Sequence, residues 1–262
     1  MKSLWKNMAM LSLLIITSAN GAELTERSVE YKDGDTALEG YVAMPKDTEG
    51  KLPVVLVVHQ WMGLTDYEKM RCKQLAELGY LAFAVDVYGK GVRPKDRSEA
   101  GAQAGKYKGD RGLFRSRLKI GLAEALKLPE ADSNKVVAIG YCFGGTGVIE
   151  LARSGAEIGG VISFHGGLDS PTPADGAKIK ARVLALHGAD DPHVKAEDLA
   201  AFEEEMRNHK VDWQLVKYGN AVHAFTQKMA GNDNSKGAAY NEKADQRSWK
   251  DMMIFMQQVF NL

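Results

Sequence analysis

The chain has 262 residues, of which 45% are hydrophobic and 26% are charged, and this is enough apolar material for one full-size folded domain. Its 34 lysines and arginines balance 34 aspartates and glutamates, so the net charge is zero and the basic footprint of a nucleic-acid-binding protein is absent. Two cysteines are too few for a disulfide scaffold.

The first residues have the pattern of a secretory signal peptide. Two lysines near the start are followed by an apolar run over residues 8–16, far shorter than the roughly 20 residues that cross a bilayer. Small or polar residues follow, as a signal peptidase requires. We expect residues 1–22 to be removed, with the cut between Ala19 and Glu23. The mature protein would then be periplasmic or secreted, without a stable membrane anchor; a retained anchor is the alternative.

Strand-like segments begin directly after this leader. Residues 24–32 and 36–44 flank Asp33 and Gly34, a pair typical of a β-hairpin turn. Five continuous apolar runs of the kind found in strands buried on both faces follow, and a sixth run alternates between apolar and polar residues. The five are residues 53–59, 81–87, 135–141, 160–164 and 182–187, and the sixth is 211–218.

Helical periodicity separates these runs. Apolar or small residues recur at i, i+3, i+4 and i+7, which predicts helices with one buried face. The stripes are Cys72, Leu75, Ala76 and Gly79; Leu118, Gly121, Leu122 and Ala125; and Val148, Leu151, Ala152 and Gly155. A final helix carries Trp249, Met252, Met253, Met256, Val259 and Phe260 on the face that packs against the core. Residues 89–112, rich in Lys, Arg and Gly, are predicted to be a loop that covers the pocket.

Strands that alternate with helices predict a single α/β domain over residues 23–262. Its sheet should be mostly parallel, covered by helices on both faces, with the hairpin at its N-terminal end. The ligand site of such a fold lies at the carboxyl ends of the strands. Candidate catalytic residues are therefore those directly after each strand-like run.

The strongest chemical signal is Gly-Tyr-Cys-Phe-Gly-Gly at residues 140–145, where a strand must turn into a helix. A nucleophile on such an elbow needs glycine two residues before it and two after it, because the strand and helix approach closely. Gly140 and Gly144 occupy these positions around Cys142. The helix N-terminus favours a thiolate, so Cys142 is the predicted nucleophile.

A thiol nucleophile needs a base, and the base needs an acid that orients it. In this architecture the order along the chain is nucleophile, acid, histidine. Asp190 and Asp191 both follow a buried strand, and we favour Asp191 because the residue before a proline is held extended. His223 follows the last strand and is the predicted base.

Two backbone N–H groups are the predicted oxyanion donors. The N–H of Phe143 follows the nucleophile directly, at the start of the helix. The N–H of Trp61 lies in the segment after the first buried strand, and it is the predicted second donor; a packing role for Trp61 is the alternative.

The elbow, the Asp191 turn and the Ala-Val-His-Ala-Phe segment around His223 resemble the dienelactone hydrolase family of α/β-hydrolases. The resemblance extends from the first hairpin to the final helix. It implies an α/β-hydrolase fold, Cys142 as nucleophile, His223 as base and Asp191 as orienting acid. It also implies the N–H groups of Trp61 and Phe143 as oxyanion donors.

The chain departs from the family pattern at its substrate contacts. Gln60 stands where familiar members carry a glutamate that helps to activate the thiol, and an amide cannot take a proton. Lys90 and Gln227 stand where those members carry two arginines that bind the substrate's carboxylate. With Tyr88, these are the predicted substrate-binding residues. A neutral ester, or a lactone other than an anionic one, is the expected substrate.

The sequence thus predicts a hydrolase that cleaves a small ester or lactone through a thioacyl intermediate, without cofactor or metal. A thioesterase or peptidase that uses the same residues is one alternative, and a non-catalytic binding protein is another. A metal hydrolase built on His59, His165, His187 or His193 is disfavoured because none of these lies at metal-ligand spacing. Cys72 lies on a helical stripe and is expected in the core. The sequence gives no indication of oligomeric state.

Overall fold

The computed structural model describes residues 23–261, so the predicted signal peptide lies outside the described residues. Eight strands form one sheet. They are β1 (Leu24–Asp33), β2 (Thr36–Pro45), β3 (Leu52–Val58), β4 (Leu81–Val85), β5 (Ala131–Tyr141), β6 (Gly160–Phe164), β7 (Arg182–Gly188) and β8 (Trp213–Tyr218). Their order across the sheet is β1-β2-β4-β3-β5-β6-β7-β8.

The sheet is mostly parallel, as predicted. β2 pairs antiparallel with β1 and with β4, and all other neighbours are parallel. The predicted hairpin is confirmed, with Gly34 at a positive φ of 57° in its turn. The sixth run alternates because β8 is the last strand of the sheet and is only partly buried. The carboxyl ends of β3 to β8 meet along one edge of the sheet.

Within residues 23–261, five α-helices lie between strands and a sixth follows the last strand. They are α1 (Asp66–Glu77), α2 (Arg97–Gly109), α3 (Arg111–Leu126), α4 (Phe143–Arg153), α5 (Ala196–Asn208) and α6 (Glu242–Phe260). Short 3-10 turns occupy Pro173–Lys178, Lys228–Ala230 and Asn234–Lys236. Among the helices of residues 23–261, none has the length and apolar character needed to cross a membrane.

The helices cover both faces of the sheet, which confirms that prediction. Successive side chains of a strand point to opposite faces. Val54, Leu56 and Val58 of β3 join the cluster beneath α2, α3, α4 and α5. Val55 and Val57 join the cluster beneath α1 and α6. The three predicted helical stripes and the apolar face of α6 are buried or partly buried in these two clusters.

The predicted loop over residues 89–112 is wrong over most of its length. Helix α2 occupies Arg97–Gly109 and buries Ala100, Ala104 and Tyr107, a stripe at helical spacing. The buried face of α2 consists largely of alanine, and the sequence around it is rich in lysine and glycine. The difference in hydrophobicity between its two faces was therefore too small to predict a helix. Helix α5 is likewise absent from the predicted stripes, since Phe202 and Met206 are the two apolar side chains it buries.

Candidate active site

Cys142 sits on a sharp turn between β5 and α4. Its backbone has a φ of 55°, in the left-handed region that non-glycine residues rarely adopt. A Cβ on Gly140 would overlap the carbonyl of Gly144, and a Cβ on Gly144 would overlap the carbonyl of Val58 in β3. The glycines therefore let the strand, the helix and β3 approach closely enough to hold the cysteine at the carboxyl edge of the sheet.

The segment after β8 brings His223 to the thiol. His223 Nε2 lies 3.0 Å from Cys142 Sγ, and His223 Nδ1 lies 2.8 Å from Asp191 Oδ2. The other Asp191 carboxylate oxygen accepts the His193 backbone N–H at 2.8 Å. Asp191 is buried, whereas Asp190 is exposed to solvent. The structure thus places Asp191, and not Asp190, at the histidine.

The charges of these three groups reinforce one another. Burial raises the pKa of the Cys142 thiol, but the His223 imidazolium beside it outweighs burial and leaves that pKa below its usual value. Burial opposes protonation of His223, yet the Cys142 thiolate and the Asp191 carboxylate raise the pKa of His223 to about 10. Burial also acts to raise the pKa of Asp191, and hydrogen bonding to His223 lowers it overall. The thiolate of Cys142 and the imidazolium of His223 therefore stabilise each other.

The two predicted oxyanion donors lie on neighbouring backbone. The backbone N–H of Phe143, at the start of helix α4, helps to lower the pKa of Cys142. A Cβ on Gly144 would lie only 2.7 Å from the His59 carbonyl oxygen, so the start of α4 packs directly against the end of β3. Trp61 follows two residues later and is partly buried.

Three of the predicted substrate-binding residues, Gln60, Tyr88 and Gln227, have buried side-chain atoms, whereas the fourth, Lys90, is exposed. Gln60 and Tyr88 are buried near the elbow, where the Tyr88 ring contacts the rings of His59 and Phe143 at centroid distances of 4.6 and 5.3 Å. Gln227 Nε2 is buried without a hydrogen-bond partner among residues 23–261.

Lys90, the fourth predicted substrate-binding residue, forms ion pairs with two glutamates. Its ammonium group pairs with Glu30 of β1 and lies 3.8 Å from Glu39 of β2. Within residues 23–261, none of its ion pairs involves Cys142, Asp191 or His223, and its charge is engaged at the antiparallel edge of the sheet.

The charge of a different lysine acts on the thiol. The charge of Lys108, on α2, contributes to the lowered pKa of Cys142. Its Nζ lies 3.4 Å from where a Cβ on Gly167 would stand, in the segment after β6. The sequence analysis missed Lys108 because it assigned this region to a loop; the i, i+4, i+7 spacing of Ala100, Ala104 and Tyr107 is the signal that could have placed it on a helix.

A buried histidine supports the ring of His223. The centroid of the His165 ring lies 5.3 Å from that of His223. His165 Nε2 lies 2.8 Å from Thr226 Oγ1, which in turn lies 2.7 Å from the Tyr67 hydroxyl. Burial holds the pKa of His165 well below its usual value, so the ring stays neutral. The described part of the chain holds no group of three or more metal-ligating side chains.

Cys72 is the other free cysteine and lies in a different environment. It is fully buried on the inner face of α1, and burial raises its pKa well above the usual value. A neutral, buried thiol is a poor nucleophile, so Cys72 is not a candidate nucleophile.

Comparisons with known proteins identify the relatives of this chain. The model of the dienelactone hydrolase family matches residues 38–260. The chain belongs to the dienelactone hydrolase family. The predicted α/β-hydrolase fold and the predicted enzyme class, a carboxylic ester hydrolase, are thereby confirmed.

Two solved structures and one curated relative illustrate the likeness. The structure of m3DLH is 38% identical, covers 90% of this chain and 99% of its own, and has a TM-score of 0.87. A dienelactone hydrolase-like promiscuous phosphotriesterase from metagenomic libraries is 40% identical with the same coverage and a TM-score of 0.86. A protein of Saccharolobus solfataricus assigned as a carboxymethylenebutenolidase is 26% identical over 89% of this chain and 99% of its own length.

Proposed function

We propose that the protein hydrolyses a carboxylic ester or lactone with Cys142 as nucleophile, His223 as base and Asp191 as the residue that orients the base. The supporting observation is the position of His223, whose two ring nitrogens lie 3.0 Å from the sulfur and 2.8 Å from the carboxylate. Acyl transfer requires a nucleophile, a base and an orienting acid in hydrogen-bonded sequence.

In the first half of the reaction, the Cys142 thiolate attacks the carbonyl carbon. A carbon–sulfur bond forms, and the carbonyl oxygen becomes an oxyanion that accepts the N–H groups of Phe143 and Trp61. The intermediate then collapses, the carbon–oxygen bond to the leaving group breaks, and His223 gives its Nε2 proton to the departing oxygen. The result is a thioacyl-enzyme on Cys142 and a released alcohol; in a lactone the alcohol stays attached to the acyl group.

In the second half, the thiolate charge that raised the pKa of His223 is gone, and the ring is neutral. It takes a proton from water as the water oxygen attacks the thioester carbon. The carbon–sulfur bond breaks and the carboxylic acid leaves. The proton on His223 again faces a thiolate, and the original ion pair is restored.

A neutral acyl substrate fits this site better than an anionic one. Gln60 adds no charge beside the thiol, and Lys90 is ion-paired with Glu30 away from the triad. Removing an arginine pair from a carboxylate site costs affinity because guanidinium binds carboxylate through two parallel hydrogen bonds. We therefore infer a preference for neutral short-chain esters over anionic lactones.

A neutral phosphotriester is a second candidate substrate. The promiscuous phosphotriesterase is 40% identical to this chain, and a site without a pair of carboxylate-binding arginines suits a neutral phosphoryl centre as it suits a neutral ester. A thiolate can attack phosphorus with loss of the same aryl alcohol, so both reactions are followed with one chromophore.

The test compares the wild type with Cys142→Ala on four substrates: a dienelactone, a neutral short-chain aryl ester, the matching aryl thioester and a neutral aryl phosphotriester. We expect the wild type to hydrolyse the neutral ester fastest, and Cys142→Ala to lose at least about 10³-fold in kcat. Mass spectrometry of quenched wild type should find the acyl group on Cys142. Equal activity of the two proteins would contradict the nucleophile, and inactivity of the wild type on all four would favour a binding protein.

We also infer that the mature protein is exported. The supporting observation is the short apolar run over residues 8–16 with small residues after it. Expression of the full chain in a bacterium and N-terminal sequencing of the periplasmic fraction should give a start between residues 20 and 23. An intact Met1 on membrane-bound protein would contradict cleavage.

A further inference from the structure

The main chain of Gln60, directly before the predicted oxyanion donor, is held on both sides. Its N–H donates to Glu68 Oε1 of α1 at 3.2 Å. Its carbonyl oxygen lies 2.7 Å from His59 Nδ1 and accepts the Gly63 N–H at 3.1 Å. Glu68 is itself fixed, since it also accepts the N–H and hydroxyl of Thr65 at the start of α1. The turn after β3 is therefore tied to the helix and to the imidazole.

The surroundings of His59 decide which of its nitrogens carries the proton. The ring is fully buried, and the Val87 N–H donates to Nε2 at 3.2 Å. Because Nε2 accepts, the proton of the neutral ring is on Nδ1, and Nδ1 donates to the Gln60 carbonyl. Burial lowers the pKa of His59 to about 4, so the ring stays neutral at ordinary pH.

A hydrogen bond to the Gln60 carbonyl also orients the Trp61 N–H. The two groups belong to one planar trans peptide, in which C=O and N–H point in opposite directions. No acceptor within residues 23–261 takes the Trp61 N–H, whereas the Trp61 carbonyl accepts the Tyr88 hydroxyl at 3.0 Å. The carbonyls on either side are anchored, and the N–H between them is left for a ligand atom.

We propose that His59 is a positioning residue that aims the Trp61 N–H at the oxyanion through its hydrogen bond to the Gln60 carbonyl. The inference rests on the proposed function, because it gives a role only in acyl transfer. It assigns to His59 a task beyond its place at a strand end: the ring links the segment after β4, at Val87, to a donor that must be in place before charge develops. Such preorganisation is what makes an oxyanion donor effective.

Two substitutions separate the bond to Gln60 from the bond to Val87. An asparagine amide places its nitrogen where His59 Nδ1 stands, and a glutamine amide places an acceptor near the position of Nε2. His59→Asn therefore keeps a donor for the Gln60 carbonyl, and His59→Gln keeps an acceptor for the Val87 N–H. Both lose the imidazole packing against Tyr88 and Phe143, so each is the matched control for the other.

We expect His59→Gln to lower kcat for the aryl ester by about 10- to 100-fold, less than the 10²- to 10³-fold typical of complete loss of an oxyanion donor, because Gly63 still holds the carbonyl. KM should change by less than about threefold, since the donor acts on the transition state. His59→Asn should stay within about threefold of the wild-type kcat. Alkylation of Cys142 by iodoacetamide forms no oxyanion, so its rate and pH profile should be the same in all three proteins.

Several results would overturn the inference. His59→Gln with wild-type kcat, or His59→Asn and His59→Gln with equal losses, would mean that the Gln60 bond does not matter. A loss that alkylation shares would mean that the whole site is damaged. A wild type inactive on every ester would overturn the proposed function and this inference together, whereas an active wild type with an active His59→Gln overturns this inference alone.

A measurement on the wild type avoids the risk that a variant misfolds. Long-range proton–nitrogen NMR spectra of protein labelled with nitrogen-15 histidine report which ring nitrogen of His59 is protonated. We expect the proton on Nδ1 of His59 from pH 6 to pH 8. A proton on Nε2 would overturn the inference, because Nδ1 could not then donate to the Gln60 carbonyl.

Discussion

Two parts of the molecule bury charged groups but satisfy them differently. The catalytic corner is the set of proposed catalytic residues Cys142, His223, Asp191 and Trp61, and the arginine cluster is Arg153 with Glu150 and Glu205. Arg153 is fully buried, and its guanidinium donates to both oxygens of Glu205, to Glu150 and to the carbonyls of Leu168 and Asp169. All five of its N–H groups have acceptors, so Arg153 has no donor left to offer a ligand.

In the catalytic corner, some groups are paired and others remain available to a ligand. His223 is bonded on both sides, yet the Cys142 sulfur is only partly buried, and the Trp61 N–H has no acceptor among residues 23–261. The comparison teaches that burial of charge alone does not mark a functional site. Complete pairing indicates a structural role, and a nucleophile beside an unpaired donor indicates chemistry.

The largest effect should follow His223→Asn, which breaks the catalytic corner at its centre. We expect kcat to fall by about 10⁴- to 10⁶-fold, as when the base of a triad is removed. The pKa of Cys142 should rise above its usual value, because burial remains and the imidazolium that outweighed it is gone. Iodoacetamide alkylation at pH 7 measures this directly, and an unchanged alkylation rate would refute the ion pair.

Asp191→Asn should have the next largest effect. The amide cannot stabilise the imidazolium, so the pKa of His223 should fall below about 10 and kcat should drop by about 10³-fold, somewhat less than the 10⁴-fold of serine triads because a thiol ionises more readily. NMR titration of the His223 ring measures the pKa. The control is Asp190→Asn, an exposed neighbour that should change neither quantity; equal effects of the two variants would contradict the assignment of Asp191.

Arg153→Met tests the other side of the comparison. Removal of one partner from a buried ion pair leaves Glu205 uncompensated, and we expect a loss of about 3–5 kcal/mol in the free energy of unfolding. At 25 °C, kcat of the folded protein should stay within about twofold, since the cluster contributes no group to the reaction. Urea unfolding measures the loss. Arg182→Met is the control: its pair with Asp212 is exposed, and surface pairs contribute about 0–1 kcal/mol.

The smallest expected effect is on the alkylation rate of Cys142, and it should differ between variants of two lysines. Lys108→Gln removes a charge that lowers the pKa of Cys142, so that pKa should rise slightly and the alkylation rate at neutral pH should fall by a few-fold. Lys90→Gln removes a charge engaged by Glu30 and should leave alkylation unchanged. If Lys90→Gln loses more activity on the dienelactone than Lys108→Gln does, Lys90 is the anion-binding residue.

Much of the fold and the candidate site could be predicted from local sequence. The elbow is such a case, because glycines at 140 and 144 are needed for a close approach within a few residues of chain. The six strand-like runs and the order of Cys142, Asp191 and His223 depend on hydrophobic pattern and chain order. Both can be found in the sequence without knowing which residues are in contact in the folded protein. Helix α2 was missed because its buried stripe is made largely of alanine, which carries little hydrophobic contrast.

The tertiary structure alone decided which side chains meet across the sheet. The pairing of β1 with β2 puts Glu30 within reach of Lys90 and engages the charge of that lysine in an ion pair. The position of α2 brings Lys108 towards the thiol, and the neighbouring ends of β3 and β4 let the Val87 N–H fix the proton of His59. Sequence pattern determines which face of an element is buried, but hydrogen bonds and charge act over a few ångströms. Their partners come from segments distant in the chain, so only the packed structure selects them.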